Sequence, residues 1–318
     1  MSLRFALAVG HYDRHLPLLE GKIIPEGIEL QVIEVSNHAD RHRRMLKNLE
    51  FDAAEVSLSS YVIARARGIL VIAIPVFPRR LFSQSSIYIH ADAGIRLPQD
   101  LIGKRVGLNS YQTTLSVLAK GDLQHEYGVP LTEITWLTFR EELFPFTAPE
   151  GVTIQRIPSG RKMDELLESG EIAAMMTPRT PLPVLQGSPK VGRLFPDARK
   201  EETDYFRRLG FYPIMHTVAL REPVLRDNPW VAHSLFQAFE QAKEACYRYY
   251  DDPNWSHLTW GRLIFEEQRQ LMSSDPWPNG IARNRANLER FITYSWEQGL
   301  IDSRMPVDSL FAETTLGT

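Results

Sequence analysis

A single cysteine, Cys246, in 318 residues leaves no partner for an internal disulfide and no thiolate set for a cysteine-based zinc cluster. No apolar run approaches the ~20 residues that a membrane-spanning helix needs. The phosphate-cradling patterns G-x-G-x-x-G and the P-loop are missing, as is the G-x-S-x-G of serine hydrolases. Charge of one sign is scarce too. The formal net charge is −3 and no basic stripe with interleaved aromatics occurs, which argues against a nucleic-acid partner. The N-terminal MSLRFALAVGHYDRH carries only about seven apolar residues before charge returns, short of a signal-peptide core, so a cytoplasmic protein without a membrane partner is expected.

What is present is an ordinary globular composition, 43% hydrophobic and 24% charged, in a chain long enough for about two lobes. An apolar strand at 3–9 runs into the loop Gly10–His11–Tyr12–Asp13–Arg14. A turn at Pro25–Glu26–Gly27 precedes an alternating strand at 28–35. Asn37 or Asp40 caps a helix to Leu49, a third strand spans 51–56, Ser57 or Ser59 caps a helix at 60–66, and a fourth strand spans 70–76. This β-α-β-α-β opening predicts a mainly parallel, wound sheet. A second α/β unit follows, with a strand near 104–107, a helix to Tyr127, strands at 134–137, 152–155 and 172–176, and a helix at 163–168. A helix at 197–209 and a strand at 211–220 lead into helices at 229–250, 259–272 and 281–298.

Polarity stands out where apolar strands surround it. The stretch at 75–89, PVFPRRLFSQSSIYI, sets Arg79, Arg80, Ser83, Ser85 and Ser86 between two core strands. Guanidinium forks suit carboxylates and hydroxyls complete the remaining bonds, although a solvated loop has the same composition. Tyr111–Gln112–Thr113 opens a helix, either as an anion site or as a plain cap. Glu55 interrupts an apolar strand, where a carboxylate needs a partner, catalytic or structural. His216 sits among apolar strand residues and reads as a core histidine or a catalytic one. His11-x-Asp13-x-His15 and His38-x-x-x-His42 have metal-compatible spacings. The second pair is placed on a solvent-facing helix beside Arg41, Arg43 and Arg44, a poor setting for a cation, and no metal is assigned. Asp275–Pro276–Trp277–Pro278–Asn279–Gly280 is a rigid loop or an aromatic lid.

Taken together, several strings resemble one family, the 4,5-dihydroxyphthalate decarboxylases of the type 2 periplasmic-binding-protein fold. They are Tyr12–Asp13–Arg14, PEGI at 25–28, FDAAEVSLSS at 51–60, the 75–89 stretch, LIGKRVGLNSYQTT at 101–114, LQHEYGV at 123–129, RLFPD at 193–197, YPIMH at 212–216, NPWVAHSLFQAFEQAK at 228–243, and DPWPNG and YSWEQGL near the end. The resemblance implies a two-lobed α/β fold with mixed sheets, flanking helices and a helical C-terminal third. Lobe one would be residues 1–90 plus 214–318, lobe two 91–213, with ligand between them.

The resemblance also implies a reaction, the non-oxidative loss of one carboxyl group from a dihydroxylated aromatic dicarboxylate. A ring hydroxyl para to the departing carboxylate pushes electron density to the ipso carbon, a general acid protonates that carbon, and CO2 leaves. No cofactor is required. Arg79 and Arg80, helped by Ser85 and Ser86, would bind carboxylate; His216 would donate the proton; Glu55 would be the base or orienting carboxylate, with the reverse roles also open. Arg14, Ser57, Ser59, Tyr111, Gln112, Thr113 and Arg179 would make secondary substrate contacts. The family suggests a homo-oligomer. The competing reading is a solute-binding or sensor protein for a small aromatic carboxylate, which needs the same anion recognition. Thiamine-pyrimidine synthase relatives carry a cysteine-rich motif that one cysteine cannot supply.

Overall fold

The computed structural model of the chain describes residues 2–318. Its strands are β1 (Leu3–Ala8), β2 (Ile28–Val32), β3 (Ala53–Ser57), β4 (Val71–Ile74), β5 (Ile87–His90), β6 (Arg105–Leu108), β7 (Thr135–Thr138), β8 (Thr153–Arg156), β9 (Ala174–Met176), β10 (Val191–Arg193) and β11 (His216–Arg221). The longer helices are α1 (His38–Asn48), α2 (Leu58–Ala66), α3 (Thr114–Tyr127), α4 (Ala198–Leu209), α5 (Trp230–Tyr249), α6 (Gly261–Met272) and α7 (Arg285–Glu297). No helix among the described residues is long and apolar enough to cross a membrane.

The chain divides into two compact units. One comprises residues 2–79, 216–288 and 305–318, the other 80–215 and 289–304. The strand β5, expected from the sequence in the first lobe, therefore sits in the second, hydrogen-bonded between β10 and β9. The same holds for residues 289–304.

The first unit is built on a sheet in the order β2-β1-β3-β11-β4. β1 runs parallel to β2 and β3, whereas β11 runs antiparallel to both β3 and β4, so the sheet is mixed rather than mainly parallel. The strand expected over 211–220 becomes continuous only from His216, with a single antiparallel bridge from Ile214 to Arg80 before it. Pro213 has no N–H to give to a ladder, and Arg221 extends the strand at its other end. One face of the sheet is covered by α5, whose buried Val231, Ala232, Leu235, Phe236, Phe239 and Ala242 recur at helical spacing and pack on Phe5, Leu7, Val218 and Leu220. The sheet's strand directions decide where polar groups can gather. The carboxyl ends of β1, β3 and β4 lie at the same end as the amino terminus of β11, which is the end where open α/β sheets place ligands.

The second unit holds a sheet in the order β10-β5-β9-β6-β7-β8. Here β6 is parallel to β7 and β9, and β5 is antiparallel to its neighbours. Tyr88, Leu137, Met163, Leu167, Ile172 and Met175 form a core on it.

Candidate active site

Every residue of β3 is buried, and Glu55 is 0% exposed. Ala53, two residues before it on the same sheet face, is small. The antiparallel ladder pairs Val218 with Glu55 and His216 with Ser57. His216 thus lies diagonally across from Glu55 on the same sheet face, within reach of a long side chain. His216 Nδ1 meets Glu55 Oε1 at 2.5 Å.

Three further groups converge on the same carboxylate. The Gly10 N–H, just past β1, donates to Oε2 at 2.7 Å, and the Tyr12 hydroxyl donates to Oε1 at 2.9 Å. From α1, Arg41 donates to Oε2 at 2.6 Å, while its other nitrogens reach the carbonyl oxygens of Glu55 and Val35. Gly10 is glycine for a steric reason. A Cβ there would stand 2.7 Å from the Tyr12 ring and 3.0 Å from Glu55 Oε2.

Two donors on each oxygen leave the carboxylate with no lone pair to spare. Burial alone would raise the pKa of Glu55, but the hydrogen bond from His216 and the Arg41 guanidinium outweigh it and hold the group well below the ordinary carboxylate value. Glu55 is therefore an anion that fixes His216 with its proton on Nδ1 and its Nε2 turned away. Burial pulls the His216 pKa below the ordinary histidine value against the opposing pull of Glu55, and Arg79 and Arg41 add to the lowering.

Two more imidazoles complete the cluster. The His42 ring stands edge-on to His216 at 4.9 Å and 88°, and its buried Nε2 has no hydrogen-bond partner among the described residues. The His38 ring lies 6.0 Å from His216, with its Nδ1 3.1 Å from the Arg41 guanidinium. Burial and Arg41 bring His38 down to about 4, and burial with the Arg41 charge takes His42 well below its ordinary value. The helix expected to face solvent therefore turns Arg41 (1% exposed) and His42 (9%) inward. Its buried face is Arg41, His42, Met45 and Leu46. Extending the apolar pair Met45–Leu46 back by one helical turn falls on Arg41 and His42, a signal the charge-rich surroundings obscured.

Arg79 lies where the chain leaves β4, and its carbonyl accepts the backbone N–H of His216 at 3.2 Å. Its half-buried guanidinium has no hydrogen-bond or ion-pair partner among the described residues, yet its charge is felt at Tyr12, His38 and His216. That makes it a cation open to a ligand anion beside His216. Arg14, by contrast, is fully used. It is sandwiched 4.3 Å from the Tyr12 ring centroid and 4.0 Å from that of Trp277, donates to Pro78 O at 3.1 Å and pairs with Asp13. Ser57 is buried at the N-cap of α2, and Ser59 is buried one residue into that helix.

His38, Glu55 and His216 bring donor atoms within 4.8 Å of one another. The set does not suit a cation, because both Glu55 oxygens are taken and two guanidiniums stand alongside. His11-x-Asp13-x-His15 is not assembled as a metal site either. Asp13 accepts from the Arg14 N–H and the Tyr250 hydroxyl, and His15 is buried against Phe239, which with the Arg14 charge pushes its pKa down to about 3. The loop at 275–280 is pinned rather than lid-like. Lys243 and Tyr247 hold Asp275, and the Trp277 indole donates to Phe77 O at 2.8 Å.

The remaining residues singled out in the sequence lie in the second unit. Arg80 is buried and donates to Tyr212 O at 2.5 Å. The Ser85 N–H donates to Glu202 at 2.9 Å, and Ser86 is buried with its N–H on Ser83 O. Ser83 donates to Asp122, whose buried carboxylate also accepts from Tyr205 and Tyr294 at 3.1 and 3.2 Å. Burial lifts Asp122 to about 6 against those bonds. The N–H groups of Tyr111 and Gln112 are both capped by Glu142, and the Gln112 amide closes on the backbone of Phe144. The Thr113 hydroxyl bonds Ser116 within the first turn of α3, and Arg179 is exposed.

Two α/β units with mixed sheets, each entered by the chain more than once, and an anion-oriented histidine at the carboxyl end of a sheet define a protein of the periplasmic-binding-protein-like class. The fold matches the aliphatic sulphonate binding protein SsuA of Escherichia coli over 100% of both chains, at TM-score 0.60 and 12% identity. The NMT1/THI5-like family matches residues 25–145. The chain is 35% identical to the 4,5-dihydroxyphthalate decarboxylase of Comamonas testosteroni over 99% of this chain and 98% of that one. It is 34% identical to the enzyme of that name from Pseudomonas putida over 66% of this chain and 84% of that one. The chain belongs to the 4,5-dihydroxyphthalate decarboxylase family.

Proposed function

We propose that the protein is a carboxy-lyase that removes one carboxyl group from 4,5-dihydroxyphthalate, giving protocatechuate and CO2 in the breakdown of phthalate-type aromatics. What carries the reading is the Glu55–His216 pair, in a chain that matches the named decarboxylase end to end. Arg79 holds a substrate carboxylate by charge-assisted hydrogen bonds. His216, protonated on Nε2 and steadied through Nδ1 by Glu55, delivers that proton to the ipso carbon. The hydroxyl para to that carbon stabilises the protonated ring, the carbon–carboxylate bond breaks, and its electron pair restores aromaticity as CO2 departs. His216 is left neutral and regains a proton from solvent. Glu55 acts by orientation and charge, not as the base.

The test is direct. The purified protein is incubated with 4,5-dihydroxyphthalate, with and without chelator, and CO2 and protocatechuate are followed. Turnover in both arms is expected. Tight binding with no CO2 would instead make the protein a receptor or sensor for an aromatic carboxylate.

A further inference from the structure

We propose that binding of the dicarboxylate substrate draws one proton out of solvent onto His216, so that the enzyme acquires its catalytic proton together with its substrate. The inference rests on the decarboxylase reading and concerns the count of charges around one imidazole.

The groups that face His216 come from every element around it. They are Glu55 on β3, Arg41, His38 and His42 on α1, Arg79 after β4 and Tyr12 after β1. Before substrate arrives, two guanidiniums stand against one carboxylate, and that carboxylate is already shared by Arg41 and His216. A positive imidazole would be a third cation around one carboxylate that Arg41 already shares, which a low-dielectric site penalises.

The three imidazoles are not equivalent places for a proton. His42 has a buried nitrogen with no acceptor to share a charge. His38 already receives Arg41 at Nδ1. His216 alone touches the carboxylate, so a charge placed there is opposed by an anion 2.5 Å away. The lowered pKa values of all three agree with a neutral resting cluster.

An ortho-dicarboxylate changes the balance. It brings two negative charges beside Arg79, and the local count moves from one surplus positive to one surplus negative, which an imidazolium on His216 neutralises. A monocarboxylate only cancels the surplus and calls for no proton. The same arithmetic loosens the product. Once the proton is on carbon and CO2 has gone, a monoanion faces a cluster with one surplus positive charge where the dianion had faced two, and its hold is weaker than the substrate's was.

Isothermal titration calorimetry in buffers of different ionisation enthalpy reads the proton directly. Phthalate is the probe, since without a para hydroxyl it binds as a dianion and is not decarboxylated, and benzoate is the monoanion control. At about pH 7.5 phthalate is expected to take up roughly 0.5–1 proton per site and benzoate less than about 0.2. His216→Asn, which keeps a donor toward Glu55 and removes the titrating nitrogen, is expected to bind phthalate with uptake below about 0.2. Phthalate bound without proton uptake by an enzyme that still turns over its substrate overturns this inference and leaves the decarboxylase reading standing, as does full uptake by the His216→Asn protein. Absence of both phthalate binding and turnover overturns the two together.

Discussion

Replacing Glu55 by Gln changes one atom of a carboxylate that accepts four hydrogen bonds, and the structure dictates how the amide must sit. Its NH2 cannot face the Oε2 side, where the Gly10 N–H and Arg41 are donors that can never accept. It must face the Oε1 side, where the Tyr12 hydroxyl can turn and the imidazole can change tautomer. His216 is then driven to accept at Nδ1 and to carry its proton on Nε2 as a neutral ring. That tautomer is a far weaker acid than an imidazolium backed by a carboxylate. Correctly placed general acids contribute about 10²–10⁴-fold, so kcat is expected to fall by that order. Arg41 and Gly10 keep a neutral oxygen acceptor, but the buried guanidinium loses its anion, which costs up to about 3–5 kcal/mol, so a folded protein with a lowered melting temperature is expected. Protocatechuate formation gives kcat, thermal unfolding checks the fold, and the ¹⁵N shifts of His216 report the tautomer. His216→Asn should lose a comparable factor, with little further loss in the double variant, because the two residues act as one unit. A folded Glu55→Gln protein with near-normal kcat, or with His216 still protonated at Nδ1, refutes the reasoning.

Other expectations come from single contacts. Arg79→Gln removes the open guanidinium beside His216 and should raise KM by about 10–150-fold, the equivalent of about 1.5–3 kcal/mol for a charged hydrogen bond, with a smaller effect on kcat; an unchanged KM removes Arg79 from the site. Gly10→Ala pushes a methyl against the Tyr12 ring and Glu55 Oε2, and steady-state kinetics should give a kcat lowered by about tenfold or more in a protein whose far-ultraviolet circular dichroism is unchanged. In the second unit, Asp122 is lifted by burial from 3.8 to about 6. Between those pH values the folded state holds the proton that the unfolded chain has released, so this group's contribution is full below about pH 4 and is lost as pH rises to about 6, by about 3 kcal/mol in all. Asp122→Asn can accept from Tyr205 and Tyr294 on Oδ1 and donate to Ser83, so denaturant titrations should show that slope vanish while wild type keeps it; equal slopes in the two proteins contradict the assignment.

The strands and helices were legible wherever local pattern decides them. Asn37 caps α1 by accepting from the N–H groups of Ala39 and Asp40, and Asp197 caps α4 through Lys200, both readable as single residues before a periodic segment. Glu55 and His216 were legible for the opposite reason, as polar residues where an apolar strand should have none. Arg41 and His42 were not. Their helix carries Arg43 and Arg44 on its outer side, and what turns Arg41 inward is a carboxylate 14 positions later in the chain, which no local window contains. Arg14 and Gln112 mislead in the other direction. Their side chains are the right chemistry for a ligand but are consumed by Trp277, Pro78 and Phe144.

The roles of Glu55 and His216, interchangeable in the sequence, separate once acceptor positions are counted. A base must have a lone pair free to receive a proton, and Glu55 has each oxygen bound by two donors, one of them an arginine that is 1% exposed. Releasing any one of them would leave a buried donor unmet, at about 1–3 kcal/mol for a neutral donor and more for the guanidinium. His216 has the opposite arrangement, one nitrogen committed and one not. Arg41 therefore matters to catalysis without approaching the substrate. It keeps Glu55 ionised, Glu55 keeps the His216 proton on Nδ1, and only then does Nε2 face the reaction. Arg41→Lys keeps the charge but cannot span Glu55 and the Val35 carbonyl together. Its kcat should fall while KM, which the proposed reading assigns to Arg79, stays near wild type. A variant in which KM rises and kcat holds would place Arg41 against the substrate and undo this order of action.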